Sequence, residues 1–246
     1  MKIACYALAY NEEQILPHFI DHYKKFCDKI VIYDNMSTDN TKELSLDLGC
    51  EVIQWEAQGG GLSDKAYIDI KSNCYKKTRE DFDWTIIADS DEFFTHRKGV
   101  SSFVETLERY KEEGITLPKI QGYNMVGNAT PKTLNEVTRG VPDVSYSKRC
   151  LFDSKVDMSW SWGCHPQHSQ SILDKTAGVV ESKDIDILLL HYKFISLDYV
   201  LDRHKLFSSR LSEFNRELGL GIHYTYEEDK IKEEYLSLLD RAKKVL

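Results

Sequence analysis

No apolar run in these 246 residues is long enough to cross a bilayer; residues 185–190 make only a strand-sized one. Positive charge is also short. The net charge is −8, and no basic stripe with interleaved aromatics is present, which argues against nucleic acid as a partner. The six cysteines (Cys5, Cys27, Cys50, Cys74, Cys150 and Cys164) have no paired spacing. Several sit in apolar runs, so reduced core thiols in a cytoplasmic protein are expected. Cys164-His165 lacks a second ligand pair at zinc-finger spacing. The first residues reach Asn11-Glu12-Glu13 too soon for a signal peptide. Gly59-Gly60-Gly61 is not followed by Gly-Lys-Ser/Thr, so it is no phosphate-binding P-loop. Repeats and low-complexity linkers are absent as well. At 41% apolar residues, the chain is long enough for one large domain with a substantial core.

What is there centres on Trp84-Thr85-Ile86-Ile87-Ala88-Asp89-Ser90-Asp91-Glu92-Phe93-Phe94. An apolar run of strand length stops at three carboxylates. Burying Asp89, Asp91 and Glu92 together is costly unless positive charge meets them. A strand end in a crevice, wrapped around Mn²⁺ or Mg²⁺, meets that need, because these hard ions favour carboxylate and phosphate oxygens. A solvated acidic turn is the plain alternative for an Asp-x-Asp alone.

Upstream, strands are expected at 2–9, 29–33 and 50–55, with helices at 41–48 and 63–79. Asn11 followed by Gln14 reads as a helix cap, and Pro17 calls for a kink or a later helix start. A helix containing Val104, Leu107 and Tyr110 ends at Gly114. The alternation predicts an α/β fold: a mostly parallel, Rossmann-like sheet flanked by helices. If its strand order is 3-2-1-4, the order reverses between the first and fourth strands. From 115 onward short strands are expected at 116–120, 145–152, 158–162, 178–180 and 185–190, with a loop-rich stretch at 122–142. They make a mixed or antiparallel region. Helices at 196–218 and 226–246 follow. The expected division is 1–195, with a nucleotide-binding half to 114 and an acceptor half after it, and a helical extension from 196. The apolar stripe of Ile231, Tyr235, Leu238 and Leu239 suits packing on the core or a homodimer; peripheral contact with a membrane is the alternative.

Ligands of open parallel sheets bind beyond the strands' carboxyl ends, where the strand order reverses. Asn11, Asp34 and Asp89 end three separate strands there. Asp34 suits a uracil imide or ribose hydroxyls, and Asp89 with Asp91 suits a cation on a diphosphate. The set Ala9-Tyr10-Asn11-Glu12-Glu13, Asp34-Asn35-Met36-Ser37-Thr38-Asp39, Asp89-Ser90-Asp91-Glu92-Phe93 and Leu190-His191-Tyr192-Lys193 resembles nucleotide-sugar glycosyltransferases of the GT-A fold, family 2-like. The resemblance implies that Tyr10, Asn11, Glu12, Asp34, Lys65, Asp89 and Ser90 bind the donor. It implies a metal shell of Asp89, Asp91 and His191. The family's catalytic base has no clear equivalent: Glu92, Asp143, Asp153, Asp157 and His165 all remain open, the last beside Trp160 and Trp162, whose faces suit a sugar.

The leading expectation is a metal-dependent glycosyltransferase, with Asp91, Glu92 and His165 in catalysis. It would move a sugar from a nucleoside diphosphate sugar, UDP-linked, to a hydroxyl of a glycan or lipid-linked glycan. The resemblance, not the residues, suggests inversion. The alternatives are a metal-dependent nucleotidyltransferase or phosphohydrolase, and a sugar-nucleotide-binding module without turnover.

Overall fold

A computed structural model describes residues 1–57, 60–160, 162–164 and 178–246. Its first sheet is built from β1 (Ile3–Ala9), β2 (Lys29–Asp34), β3 (Glu51–Gln54) and β4 (Trp84–Asp89), parallel in the order β3-β2-β1-β4. That is the order the switch-point reading supposed. β1 is buried along its whole length and β4 nearly so, because helices and the second sheet leave neither face to solvent. A short antiparallel strand, β8 (Leu151–Asp153), closes the β4 edge. The register pairs Ala9 with Asp34 and Leu8 with Asp89, so three strands end level on one rim.

After Ser90 and Asp91 the chain resumes as β5 (Glu92–His96), which belongs to a second sheet. Its other strands are β6 (Ile120–Val126), β7 (Arg139–Pro142), β9 (Ile187–Phe194) and β10 (Lys243–Lys244). Their order is β10-β7-β6-β9-β5, with only β6 and β9 parallel. The acidic turn is therefore the joint between the sheets. A core containing Trp84, Phe94, Phe103 and Leu189 spans both. The helices are α1 (Leu16–Tyr23), α2 (Thr41–Asp47), α3 (Asp64–Asn73), α4 (Val100–Glu112), α5 (Leu197–Arg210), α6 (Glu213–Glu217) and α7 (Glu228–Arg241). A smaller cluster of Val126, Phe194, Val200, Ile231, Tyr235 and Leu238 fixes α5 and α7 to the second sheet. All six cysteines are free thiols, and among the described residues no helix is long and apolar enough to cross a membrane.

Several local expectations are corrected. Asn11 is not a helix cap: its φ is 51°, its amide bonds Thr38, and α1 begins only at Leu16 with Pro17 in its first turn. Proline fits there because that N–H has no helical acceptor anyway. The helix expected to reach 79 stops at Asn73. Tyr75 turns inward instead, packing on Phe152 and donating to the Val156 carbonyl. The strand expected at 116–120 lies at Ile120–Val126, and the expected loop at 122–142 holds β6 and β7. Gly122 and Asn124 weaken the local strand signal, but pairing with β9 outweighs propensity. Residues 158–160 and 178–180 are irregular, and 144–146 form a 3₁₀ turn ahead of β8. The helix expected at 196–218 breaks where Leu211 bridges to Leu62 and Ser212 caps α6. The last helix ends at Arg241, and β10 pairs with β7.

His22 on α1 contributes a pH-dependent term to this core. Its ring lies against Phe26 and Phe93, and its Nε2–H donates to the Phe94 carbonyl at 2.8 Å. Burial pulls the imidazole down from 6.5 to about 4. The neutral form is the one that fits, so this stabilisation is complete above pH 6.5 and is lost as pH falls through 4. Urea titrations of wild type and His22→Gln, which keeps an N–H donor, measure it. Wild type should lose roughly 2 kcal/mol more than the variant between those pH values, after discounting for partial exposure. Equal losses would remove His22 as the cause.

Candidate active site

The strand ends open into a cavity of about 440 Å³. Its floor is the acidic turn. Asp89 ends β4, Glu92 starts β5, and the β5–β9 register sets Glu92 opposite His191. Two buried lysines meet these acids. Lys71 of α3 reaches Asp89 Oδ1 at 2.7 Å. Lys148 lies 2.5 Å from Glu92 Oε1 and 3.5 Å from Asp89 Oδ2. The other Glu92 oxygen accepts the Asp89 backbone N–H at 3.1 Å. Glu92 is thus fully engaged as a charge partner.

Asp91 faces the other way. Its Oδ2 is 3.5 Å from His191 Nε2, while His191 Nδ1 lies 2.9 Å from Asn124 Oδ1 on β6. Tyr146 stacks on the His191 ring with centroids 3.9 Å apart. Behind them, Arg203 of α5 pairs with Glu12 at 2.6 Å. The pKa directions follow from this arrangement. Burial alone would raise Asp91, but His191 and Arg203 hold it well below the usual carboxylate range. Asp89 is lowered too, with burial opposed by Lys71 and Lys148. Burial would neutralise those lysines, yet Asp89 for Lys71 and Glu92 for Lys148 keep both charged. Glu12 differs: burial pushes it up to about 7, and Arg203 offsets only part of that.

Of the residues singled out in the sequence, Tyr10, Glu12, Asp89, Ser90, Asp91, Glu92 and His191 line the cavity. Asn11, Asp34 and Lys65 do not. Asn11 serves the turn with Thr38. Asp34 is fully buried and accepts from Ser37 N and Gln54 Nε2. Lys65 is exposed on α3. Asp143 is held by Asn124 and Ser145, Asp153 lies opposite Trp84 at the far end of β4, and Asp157 pairs with Lys76 and Arg79 on the surface. His165 lies outside the described residues, as do Gln58 and Gly59. Trp160 is buried, whereas Trp162 is exposed at the cavity rim against Phe214.

Lys71, Lys148, Arg203 and Asn124 escaped the sequence reading. Only Arg203 left a usable signal, a charge on the same helical face as Tyr199 and Phe207, four residues to either side. Its guanidinium lies over the Phe207 ring at 4.4 Å. Among the described residues, no three His, Cys, Asp or Glu side chains form a ready-made metal cage. Asp91 and His191 nonetheless offer one carboxylate and one imidazole to the same point. That donor set fits Mn²⁺ or Mg²⁺ when phosphate oxygens complete the shell.

Lys148→Met tests the charge balance of the floor. It leaves buried Glu92 and half-buried Asp89 with one cation fewer, which should cost about 3–5 kcal/mol in urea unfolding. Adding Glu92→Gln should recover a large part of the loss. A single variant as stable as wild type would refute the pairing.

Comparisons with known proteins bear on what such a cavity does. No curated protein matches the chain. Among solved structures, glucosyl-3-phosphoglycerate synthase from Mycobacterium tuberculosis, in complex with Mn²⁺, uridine diphosphate and phosphoglyceric acid, is 22% identical over 49% of this chain and 43% of that one, with a TM-score of 0.34. The chain thus matches less than half of that enzyme's length. The same synthase with Mn²⁺, uridine diphosphate and glucosyl-3-phosphoglycerate is 15% identical over 85% of this chain and 80% of that one, at 0.45. Mannosyl-3-phosphoglycerate synthase from Rubrobacter xylanophilus is 18% identical over 50% of this chain and 40% of that one, at 0.35. The sequence profile of glycosyltransferase family 92 matches residues 2–244. Because that match runs through both sheets and the C-terminal helices, the chain belongs to glycosyltransferase family 92.

Proposed function

We propose that this glycosyltransferase transfers a sugar from a UDP-linked donor to a hydroxyl of a glycan or lipid-linked glycan, with inversion, using Mn²⁺ or Mg²⁺. The observation that carries the metal is the meeting of Asp91, on the turn between the sheets, and His191 of β9, 3.5 Å apart on the cavity floor. A cation held there supplies positive charge to the departing diphosphate. Lys71 and Lys148 add fixed positive charge beside Asp89, in a site shielded from water, where such charge acts strongly. Tyr10, Glu12, Asp89 and Ser90 are the donor contacts. Trp162 offers its exposed face to the apolar side of a sugar ring. Glu92 is committed to Lys148 and Glu12 to Arg203, so neither is assigned the acceptor's proton.

Asp91→Asn should abolish transfer from UDP-sugars while leaving the melting temperature near that of wild type, because an amide is a poor ligand for a hard cation. Wild-type transfer should stop in excess chelator and return with Mn²⁺. Full activity in chelator would overturn the metal assignment.

A further inference from the structure

We infer that Asp143 and Asn124 are positioning residues that fix which nitrogen of His191 carries the proton, so that the other is free to ligate a cation. The inference rests on the reading of His191 as a metal ligand.

Both Asp143 carboxylate oxygens accept hydrogen bonds. Its Oδ2 lies 2.8 Å from Asn124 Nδ2, so the amide must point its nitrogen at Asp143. Asn124 Oδ1 then faces His191 Nδ1 at 2.9 Å. A carbonyl oxygen only accepts, so Nδ1 must hold the hydrogen. In a neutral imidazole this leaves Nε2 with a lone pair. That nitrogen is the one directed at Asp91 Oδ2, 3.5 Å away. A proton on that nitrogen, or a cation between the two groups, joins them.

Asn124 and His191 are both buried, so solvent does not easily offer either amide or ring another partner. Asp143 is fixed in turn, because its Oδ1 accepts the Ser145 N–H at 2.8 Å and caps the 3₁₀ turn Val144–Tyr146. That turn carries Tyr146, whose ring stacks on His191. One carboxylate therefore sets the tautomer through Asn124 and supports the ring's face through Tyr146. Gly122 makes this approach feasible: a Cβ there would come within 2.2 Å of the Tyr146 backbone. Outer groups of this kind commonly tune a metal-bound histidine.

The same carbonyl would also accept from an imidazolium, so the test must separate the two states. Imidazole ¹⁵N spectra of the full chain with UDP and Mg²⁺ should show His191 with its hydrogen on Nδ1. Asp143→Asn lets the Asn124 amide turn over, which should bring in the Nε2–H form. It should also weaken Mn²⁺ binding, measured by calorimetry with UDP present, by roughly 10- to 100-fold. Exchanging the pair, Asn124→Asp with Asp143→Asn, restores a carboxylate oxygen to His191 and an amide that still serves Ser145. The exchange should recover most of the affinity, which general loosening of the fold would not do. An Nε2–H or imidazolium form in wild type would overturn the inference. So would an Asp143→Asn protein with wild-type Mn²⁺ affinity. A wild type that binds no Mn²⁺ with UDP would overturn the metal reading itself, whatever tautomer the spectra show.

Discussion

The constraint on which this structure depends is the burial of acidic charge where the chain passes from one sheet to the other. Asp89 is the last residue of β4 and Glu92 the first of β5, so the turn between them cannot swing out to solvent without parting the sheets. Glu92 is 1% exposed and Asp91 7%. Uncompensated, such groups would neutralise or force the joint open. Lys71 and Lys148 prevent this for Asp89 and Glu92, and they come from opposite sides, α3 and the segment ahead of β8. The ion pairs are weak grounds for claiming net stability, since desolvation opposes them. Their effect is to hold charge in a fixed geometry that solvent cannot relax.

The C-terminal third closes what the first third opens. Arg203 pairs with Glu12, and Arg210 bonds Asn35 while lying over the Tyr10 ring. The Arg210 carbonyl accepts from Leu62 N, and Asn215 binds Asp64 through both its oxygen and its nitrogen. Gly61 permits that crossing, because its φ is 74° and a Cβ would strike the Arg210 carbonyl at 2.3 Å. Residues 219–224 complete the wall. The cavity is therefore shared by segments more than a hundred residues apart, and its shape responds to how α5 packs on the second sheet. The family match over 2–244 has the same extent as this shared architecture.

Much of this was legible in one dimension. Periodicity and turn chemistry gave the alternating parallel half, because β1, β2 and β4 carry apolar runs bounded by polar turns. The second half was harder. β6 carries Gly122 and Asn124, the first demanded by the Tyr146 backbone and the second by His191, so its sequence reflects the site more than strand propensity. The acids of the floor stood out because several carboxylates after an apolar run are unusual. Their counter-charges did not, since Lys71 and Lys148 read like any surface lysine until the fold buries them.

The sequence by itself determined the alternation of the first five elements, the glycosyltransferase resemblance, and the acidic turn with His191 as its late companion. These are local patterns, or patterns repeated at fixed spacing, and local chemistry suffices to write them. Only the tertiary structure decided that Asp89 and Glu92 belong to lysines, that Asp34 turns away from the cavity, and that Asn124 and Asp143 stand behind His191. Burial and partner choice are set by residues distant in the chain, and no window of sequence contains both members of such a pair.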